Sequence, residues 1–195
     1  MKMLFDIQKP EIPKIEGLRY VSNFISKKEH DALLATIDAQ SWLTDLKRRV
    51  QHYGYKYDYK ARNILPDSYL GELPQWLSGL QERLFANGIF KQKPDQAIIN
   101  EYLPGQGISA HIDCVPCFDD VIASLSLGSD AIMQLSLGEQ KHDILLEKCS
   151  LIVLSGEARY KWQHAIPARK SDIVDGVRLE RQKRVSVTFR KVILS

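Results

Sequence analysis

The chain has 195 residues, 44% of them apolar, and a formal net charge of +3. That length suits one domain with a core large enough to need no staple, and the charge is too small to imply nucleic-acid binding by itself, so any basic surface must be local. No segment has the apolar length of a signal peptide or a membrane span, so the expectation is no membrane partner and a cytoplasmic location, or also a nuclear one in a eukaryote.

After a polar start, residues 18–24 read as a short strand. Ser26-Lys-Lys-Glu29 is a capping box, the hydroxyl taking an orphan N–H and the glutamate reaching back. Leu33, Leu34 and Ile37 then share one face, which predicts a helix over 27–38. A second helix has Pro74 near its first turn, Trp76, Leu77, Leu80 and Leu84 at helical spacing, and Asn87-Gly88 as its stop. From Gln96 the period changes. Residues 97–103, 121–127, 131–137, 143–146, 151–154 and 184–193 are short and β-rich, and the gaps between them are mostly too short for the helices of a parallel sheet. The expected fold is mainly β with N-terminal helices, an antiparallel sandwich or jelly roll.

Cys114, Cys117 and Cys149 suit a reduced compartment, where no pairing is required. Cys114-Val-Pro-Cys117 has C-x-x-C spacing, but there is no second pair to complete a zinc site, so it reads as an incidental loop pair.

Three pieces of the β-rich half carry chemistry together. In His111-Ile-Asp113 an extended chain puts imidazole and carboxylate on one side. His164 follows after residues 151–154 and a polar turn. Two histidines and a carboxylate on one face make the facial triad of non-haem iron(II), with positions left open for co-substrate and oxygen. The third piece, Arg184-Val-Ser-Val-Thr-Phe-Arg190, has its arginines an even number of residues apart. They leave one strand face while Val185, Val187 and Phe189 leave the other. Paired guanidinium groups suit a dicarboxylate ligand; an ordinary solvated edge strand would have the same pattern. Asn100 and Tyr102 also share a face, from which an amide and a phenol can reach one ligand.

N-x-Y-x-P-G, then H-x-D, then a distal histidine, then R-x5-R, in this order, resembles the AlkB family of dioxygenases over residues 96–191. Residues 104–113 and 124–129 look most like its branch that modifies tRNA wobble uridines. The resemblance implies a double-stranded β-helix core over about 96–195 behind N-terminal helices and a substrate lid over about 1–95, all one domain, 1–195. It implies iron(II) on His111, Asp113 and His164, which would be both metal ligands and the catalytic centre. By the same resemblance 2-oxoglutarate would be held by Arg184 at its distal carboxylate, by Arg190 near its 1-carboxylate end, and by Asn100 and Tyr102. With oxygen as co-substrate, 2-oxoglutarate would be decarboxylated and a substrate C–H bond hydroxylated. An N-methyl group would leave as formaldehyde; a carbon side chain would keep the alcohol. Repair-type members often carry an acidic residue two positions after the triad aspartate, where this chain has Val115.

The substrate clue is residues 47–62, where Lys47, Arg48, Arg49, Lys56, Lys60 and Arg62 face one acid, Asp58. Tyr53, Tyr55, Tyr57 and Tyr59 recur at every second position and would line one face of an extended strand. Cations for phosphates and rings for unstacked bases suit single-stranded RNA or tRNA. On that reading Arg48, Arg49, Tyr53, Tyr55, Lys56 and Arg62 contact nucleic acid, and His52 can join them; alternatively the tyrosines pack on the core. Arg159, Lys161, Arg169 and Lys170 can extend a basic rim. Trp162 reads as core or pocket wall, and His30 and His142 as solvated or capping residues. A monomer is expected, with any further domain supplied by a separate partner chain. Competing readings are an oxygenase acting on a protein side chain or small molecule, and a non-catalytic binding module.

Overall fold

The computed structural model describes residues 8–44 and 46–194, the side chain of Pro66 excepted; the polar start before Gln8 lies outside them. In chain order the elements are β1 (Leu18–Val21), α1 (Lys27–Asp38), β2 (Val50–Tyr53), a 3-10 turn at Pro66–Ser68, α2 (Gln75–Ala86), β3 (Gln96–Tyr102) and β4 (Ile108–His111). There follow β5 (Phe118–Gly128), β6 (Ala131–Leu137), β7 (Gln140–Leu146), β8 (Leu151–Leu154), α3 (Gly156–Tyr160), β9 (Gln163–Ile166), β10 (Ser171–Val174), β11 (Val177–Glu180) and β12 (Arg184–Val192).

The strands form a six-stranded sheet in the order β1-β8-β5-β12-β3-β2, a four-stranded sheet in the order β4-β9-β6-β7, and the β10-β11 hairpin. All pairings are antiparallel. This is the expected jelly roll. The large sheet is buried on both faces, and its alternation decides what lies on each. Ala97, Ile99, Leu125, Leu127, Val185, Val187 and Phe189 pack with Leu33 and Ile37 of α1 and Leu77, Leu80 and Leu84 of α2. Residues of the opposite parity, Ile122, Ile152 and Leu154, meet Met133, Leu135, Ile144 and Leu146 of the small sheet. Each such fully buried side chain contributes about 1.5–3 kcal/mol, so the two apolar layers fix how the sheets face each other.

Both helices occupy the expected residues. In α1 the Ser26 hydroxyl accepts the Glu29 N–H, and the Glu29 carboxylate accepts the Ser26 N–H. His30 is not solvated: it is buried, its Nε2 accepts the Gly128 N–H at 2.9 Å, and so it ties α1 to the end of β5. The first strand stops at Val21, short of residue 24, and Asn23 takes a left-handed conformation.

The tyrosine run is not one extended strand. Gly54, at φ +77°, turns the chain after Tyr53, and a Cβ there would lie 1.8 Å from the Asp95 carbonyl oxygen. That break sends the tyrosines to different places. Tyr53 packs edge-on against Trp76, whereas Tyr55 meets Tyr69 and Tyr57 meets Phe118. Among the described residues no helix is long and apolar enough to cross a membrane.

Candidate active site

His111 ends β4 and His164 lies in β9, and the two are direct cross-strand partners with ring centroids 4.3 Å apart. Asp113 follows two residues after His111, so one strand end and one pairing register assemble three donors. One ligand atom from each lies within 4.8 Å of the others. The approach of the strands depends on Gly107, where a Cβ would stand 2.1 Å from the Ile166 carbonyl oxygen.

The protonation states suit a metal. The His111 Nδ1 stands 2.8 Å from the Ser109 carbonyl, which can only accept, so Nδ1 carries a hydrogen and Nε2 is the nitrogen turned toward Asp113. Burial lowers the His164 pKa to about 4 against the opposing pull of Asp113, which leaves a neutral imidazole at pH 7. Burial alone would raise the Asp113 carboxyl; Arg190 and both histidines outweigh it and hold it well below its ordinary value. Two imidazoles and a carboxylate match a 2-His-1-carboxylate iron(II) site.

Behind the triad, the inner face of β12 presents Arg184, Ser186, Thr188 and Arg190 in succession into a chamber between the sheets. Arg190 donates from Nε to Asp113 Oδ2 at 3.0 Å, and its guanidinium lies 4.8 Å over the Phe118 ring. Arg184 lies deeper, 4% exposed, over Tyr102 and donating to Ser126 Oγ. Its Nε has no partner. A buried guanidinium without a carboxylate is costly, and a dicarboxylate spanning from Arg184 to the triad would satisfy it. Asn100 and Tyr102 line the same chamber. Ser186 and Thr188 were not singled out from the sequence, although the alternation that aligned the two arginines places both between them.

A wider cleft of about 630 Å³ opens over the triad, lined by Lys47, Arg48, Tyr57, Tyr59, Arg62 and Phe118. Of the residues expected to contact nucleic acid, Arg48 and Arg62 reach it; Arg49, Tyr53, Tyr55 and Lys56 do not line it. Arg49 forms a bidentate pair with the buried Glu101 at 2.8 and 2.7 Å and stacks over Trp42. His52 meets the edge of the Tyr59 ring.

The basic rim around His164 is largely dismantled. Arg159 is buried, Arg169 pairs with Asp172, and Lys161 pairs with Glu157. Trp162 is buried as expected, with His142 against it. Cys114 and Cys117 are not an incidental pair. They form a disulfide, because the turn after Asp113 brings their Cα atoms to 5.3 Å.

A jelly roll with this triad and an arginine-lined chamber behind it defines a non-haem iron oxygenase. The profile of the 2OG-Fe(II) oxygenase superfamily matches residues 44–190. An uncharacterized protein of Acanthamoeba polyphaga mimivirus is 34% identical over 92% of this chain and 86% of its own length. The Arabidopsis thaliana "Alkylated DNA repair protein ALKBH8 homolog" is 40% identical over 91% of the chain and 59% of its own length. The Mus musculus "tRNA (carboxymethyluridine(34)-5-O)-methyltransferase ALKBH8" is 39% identical over 90% of the chain, which spans 30% of that protein. Among solved structures OsALKBH1 superposes with a TM-score of 0.67 at 16% identity, covering 94% of this chain and 98% of that one. A Pseudomonas putida prolyl-4-hydroxylase superposes at 0.58 and 18%, covering 90% and 92%; both support the fold alone. The chain belongs to the 2OG-Fe(II) oxygenase superfamily and is AlkB-like within it.

It is therefore a 2-oxoglutarate-dependent dioxygenase using iron(II), 2-oxoglutarate and oxygen. When bound, the iron couples oxidative decarboxylation of 2-oxoglutarate to hydroxylation of a substrate C–H bond. The chain's own residues bind and orient. His111, Asp113 and His164 would hold the metal, Arg190 keeps the Asp113 carboxylate ionised and aimed, and Arg184 would anchor the far carboxylate of the co-substrate.

Proposed function

We propose that this oxygenase hydroxylates or oxidatively demethylates a modified base in nucleic acid, RNA before DNA, with tRNA as the leading substrate. The outer cleft carries the reading: Lys47, Arg48 and Arg62 line it together with Tyr57 and Tyr59, and among its lining residues Asp113 is the one acid. Cations can hold a phosphate backbone while rings flank an unstacked base brought to the triad. The same charge disfavours a positively charged methylated base, which would want a carboxylate beside it. Val115, at the position where repair-type members carry an acid, agrees with that. A neutral or anionic base, such as a side-chain-bearing uridine, suits the cleft better. The name of the mouse relative, which specifies a tRNA carboxymethyluridine, points the same way, although the chain spans only 30% of it; the plant relative is named for alkylated DNA.

The test is incubation with iron(II), 2-oxoglutarate and ascorbate, supplying total tRNA and methylated DNA and RNA oligonucleotides. Digested nucleosides are read by mass spectrometry beside a succinate assay. A tRNA nucleoside that gains oxygen or loses a methyl group supports the reading. Succinate formation with every nucleoside unchanged would overturn it in favour of a protein or small-molecule substrate. Binding to tRNA should also weaken with salt, and less steeply once Lys47 and Arg62 are replaced by alanine.

A further inference from the structure

Arg159 takes no part in the chemistry described so far. It sits in α3 at 2% exposure. Its Nη1 donates to the Asp113 carbonyl at 2.9 Å and its Nη2 to the Cys114 carbonyl at 3.1 Å. Its Nε has no partner, and its guanidinium lies 5.0 Å over the Tyr160 ring. No carboxylate pairs with it among the described residues. An arginine buried only to fill space would be better replaced by an apolar side chain, since burial of an unpaired charge is expensive. Something must be gained from the two main-chain bonds.

The place of those bonds says what. His111 is held by the β4–β9 ladder, and His164 is its partner across it. Asp113 lies past the end of β4, where no ladder bond holds its backbone. Arg190 aims its carboxylate, and the disulfide and the Cys117 N–H turn the chain from Cys114 onward, but neither of these reaches the Asp113 carbonyl. Arg159 grips it, and does so from the short segment that runs on through Trp162 to His164. One guanidinium thus links the aspartate's backbone to the stretch that delivers the distal histidine. We infer that Arg159 is a positioning residue for the iron site, holding the Asp113–Cys114 main chain at the spacing from His164 that a single metal ion requires. It touches neither metal nor substrate. Supporting groups of this kind typically change metal affinity about 10–100-fold when removed.

The readout is metal affinity, independent of turnover. Anaerobic titration with Co(II), followed by its visible absorption, is run on the full chain with Arg159→Met, Arg159→Lys and Leu33→Ala. Leu33 packs between α1 and the far face of the large sheet, so its variant reports the cost of lost stability alone. The expected result is Co(II) affinity lower by about 10-fold or more in Arg159→Met. Partial recovery is expected in Arg159→Lys, and wild-type affinity in Leu33→Ala despite its lower Tm. Wild-type affinity in Arg159→Met, or an equal loss in Leu33→Ala, overturns the inference. If Arg159→Met does not fold, Arg159→Lys decides: weakened Co(II) binding at a wild-type Tm supports the role, and unchanged binding refutes it.

Discussion

Arg48 and Asn100 are joined by a 2.8 Å hydrogen bond from Nε to Oδ1, which ties the segment before β2 to the inner wall of the chamber. The Arg48 guanidinium also lies over the rings of Tyr59 and Tyr102 at 5.9 and 6.0 Å. One side chain thus touches both the outer cleft and two residues expected to meet 2-oxoglutarate. Arg48→Ala should raise KM for both 2-oxoglutarate and the nucleic-acid substrate, each by roughly 10-fold, the worth of one charge-assisted hydrogen bond. Its neighbour Arg49 pairs with buried Glu101 instead, so Arg49→Ala should lower Tm and leave both KM values near wild type. Steady-state kinetics on the two variants separates these roles, and identical kinetic profiles would contradict the assignment.

The two arginines of β12 should part company. Arg184 lies deep and makes no contact with the triad, so Arg184→Ala should raise the 2-oxoglutarate requirement at least 10-fold with metal binding intact. Arg190 holds Asp113, so Arg190→Ala should weaken both metal and co-substrate binding. Co(II) titration beside 2-oxoglutarate titration tells them apart.

Gly107 permits β4 to approach β9. A methyl group there would collide with backbone atoms, the Ile166 carbonyl oxygen at 2.1 Å and the Ala168 nitrogen at 2.9 Å, which cannot swing aside as a side chain would. Gly107→Ala should therefore separate His111 from His164 and reduce metal affinity, although residue 107 bears no ligand. An alanine variant with wild-type metal affinity would show that the strands tolerate the shift.

Asp172 anchors the β10–β11 hairpin. Arg181 binds it bidentately at 2.6 and 2.8 Å, Arg169 joins at 2.6 Å, and the Ile132 N–H completes the set. Burial would raise its carboxyl, but these partners outweigh burial and lower it. With the folded pKa below the unfolded value of about 3.9, the cluster stabilises the protein above that pH. The contribution is lost as pH falls through the folded value. Asp172→Asn should cost about 3–5 kcal/mol at pH 7 and flatten the fall of Tm between pH 5 and pH 3. An unchanged acid limb in thermal melts would assign the acid sensitivity to other carboxylates.

His111→Ala should abolish metal loading and turnover together. Retained activity would refute the triad.

Much of the site was legible in the sequence because its signals are local. H-x-D needs only two residues on an extended chain, and R-x5-R needs only the parity of one strand. Both arginines do enter the chamber, while Val185, Val187 and Phe189 pack under the helices. The same parity reasoning failed for the tyrosines because it assumed an unbroken strand, and Gly54 breaks it. Arg159 carried no local signal: a buried arginine that binds carbonyls some 45 residues away in sequence reads as one more surface cation.

By itself the sequence determined the helices, the antiparallel β-rich half, the H-x-D pair proposed as metal ligands and the paired arginines, since each rests on a period or spacing within a few residues. The tertiary structure decided which cations face the cleft and which are spent on Glu101 and Asp172. It also decided that Cys114 and Cys117 join, and that Arg159 braces Asp113. These are meetings of distant segments, set by how two sheets and two helices bury their apolar faces, and no local period encodes them.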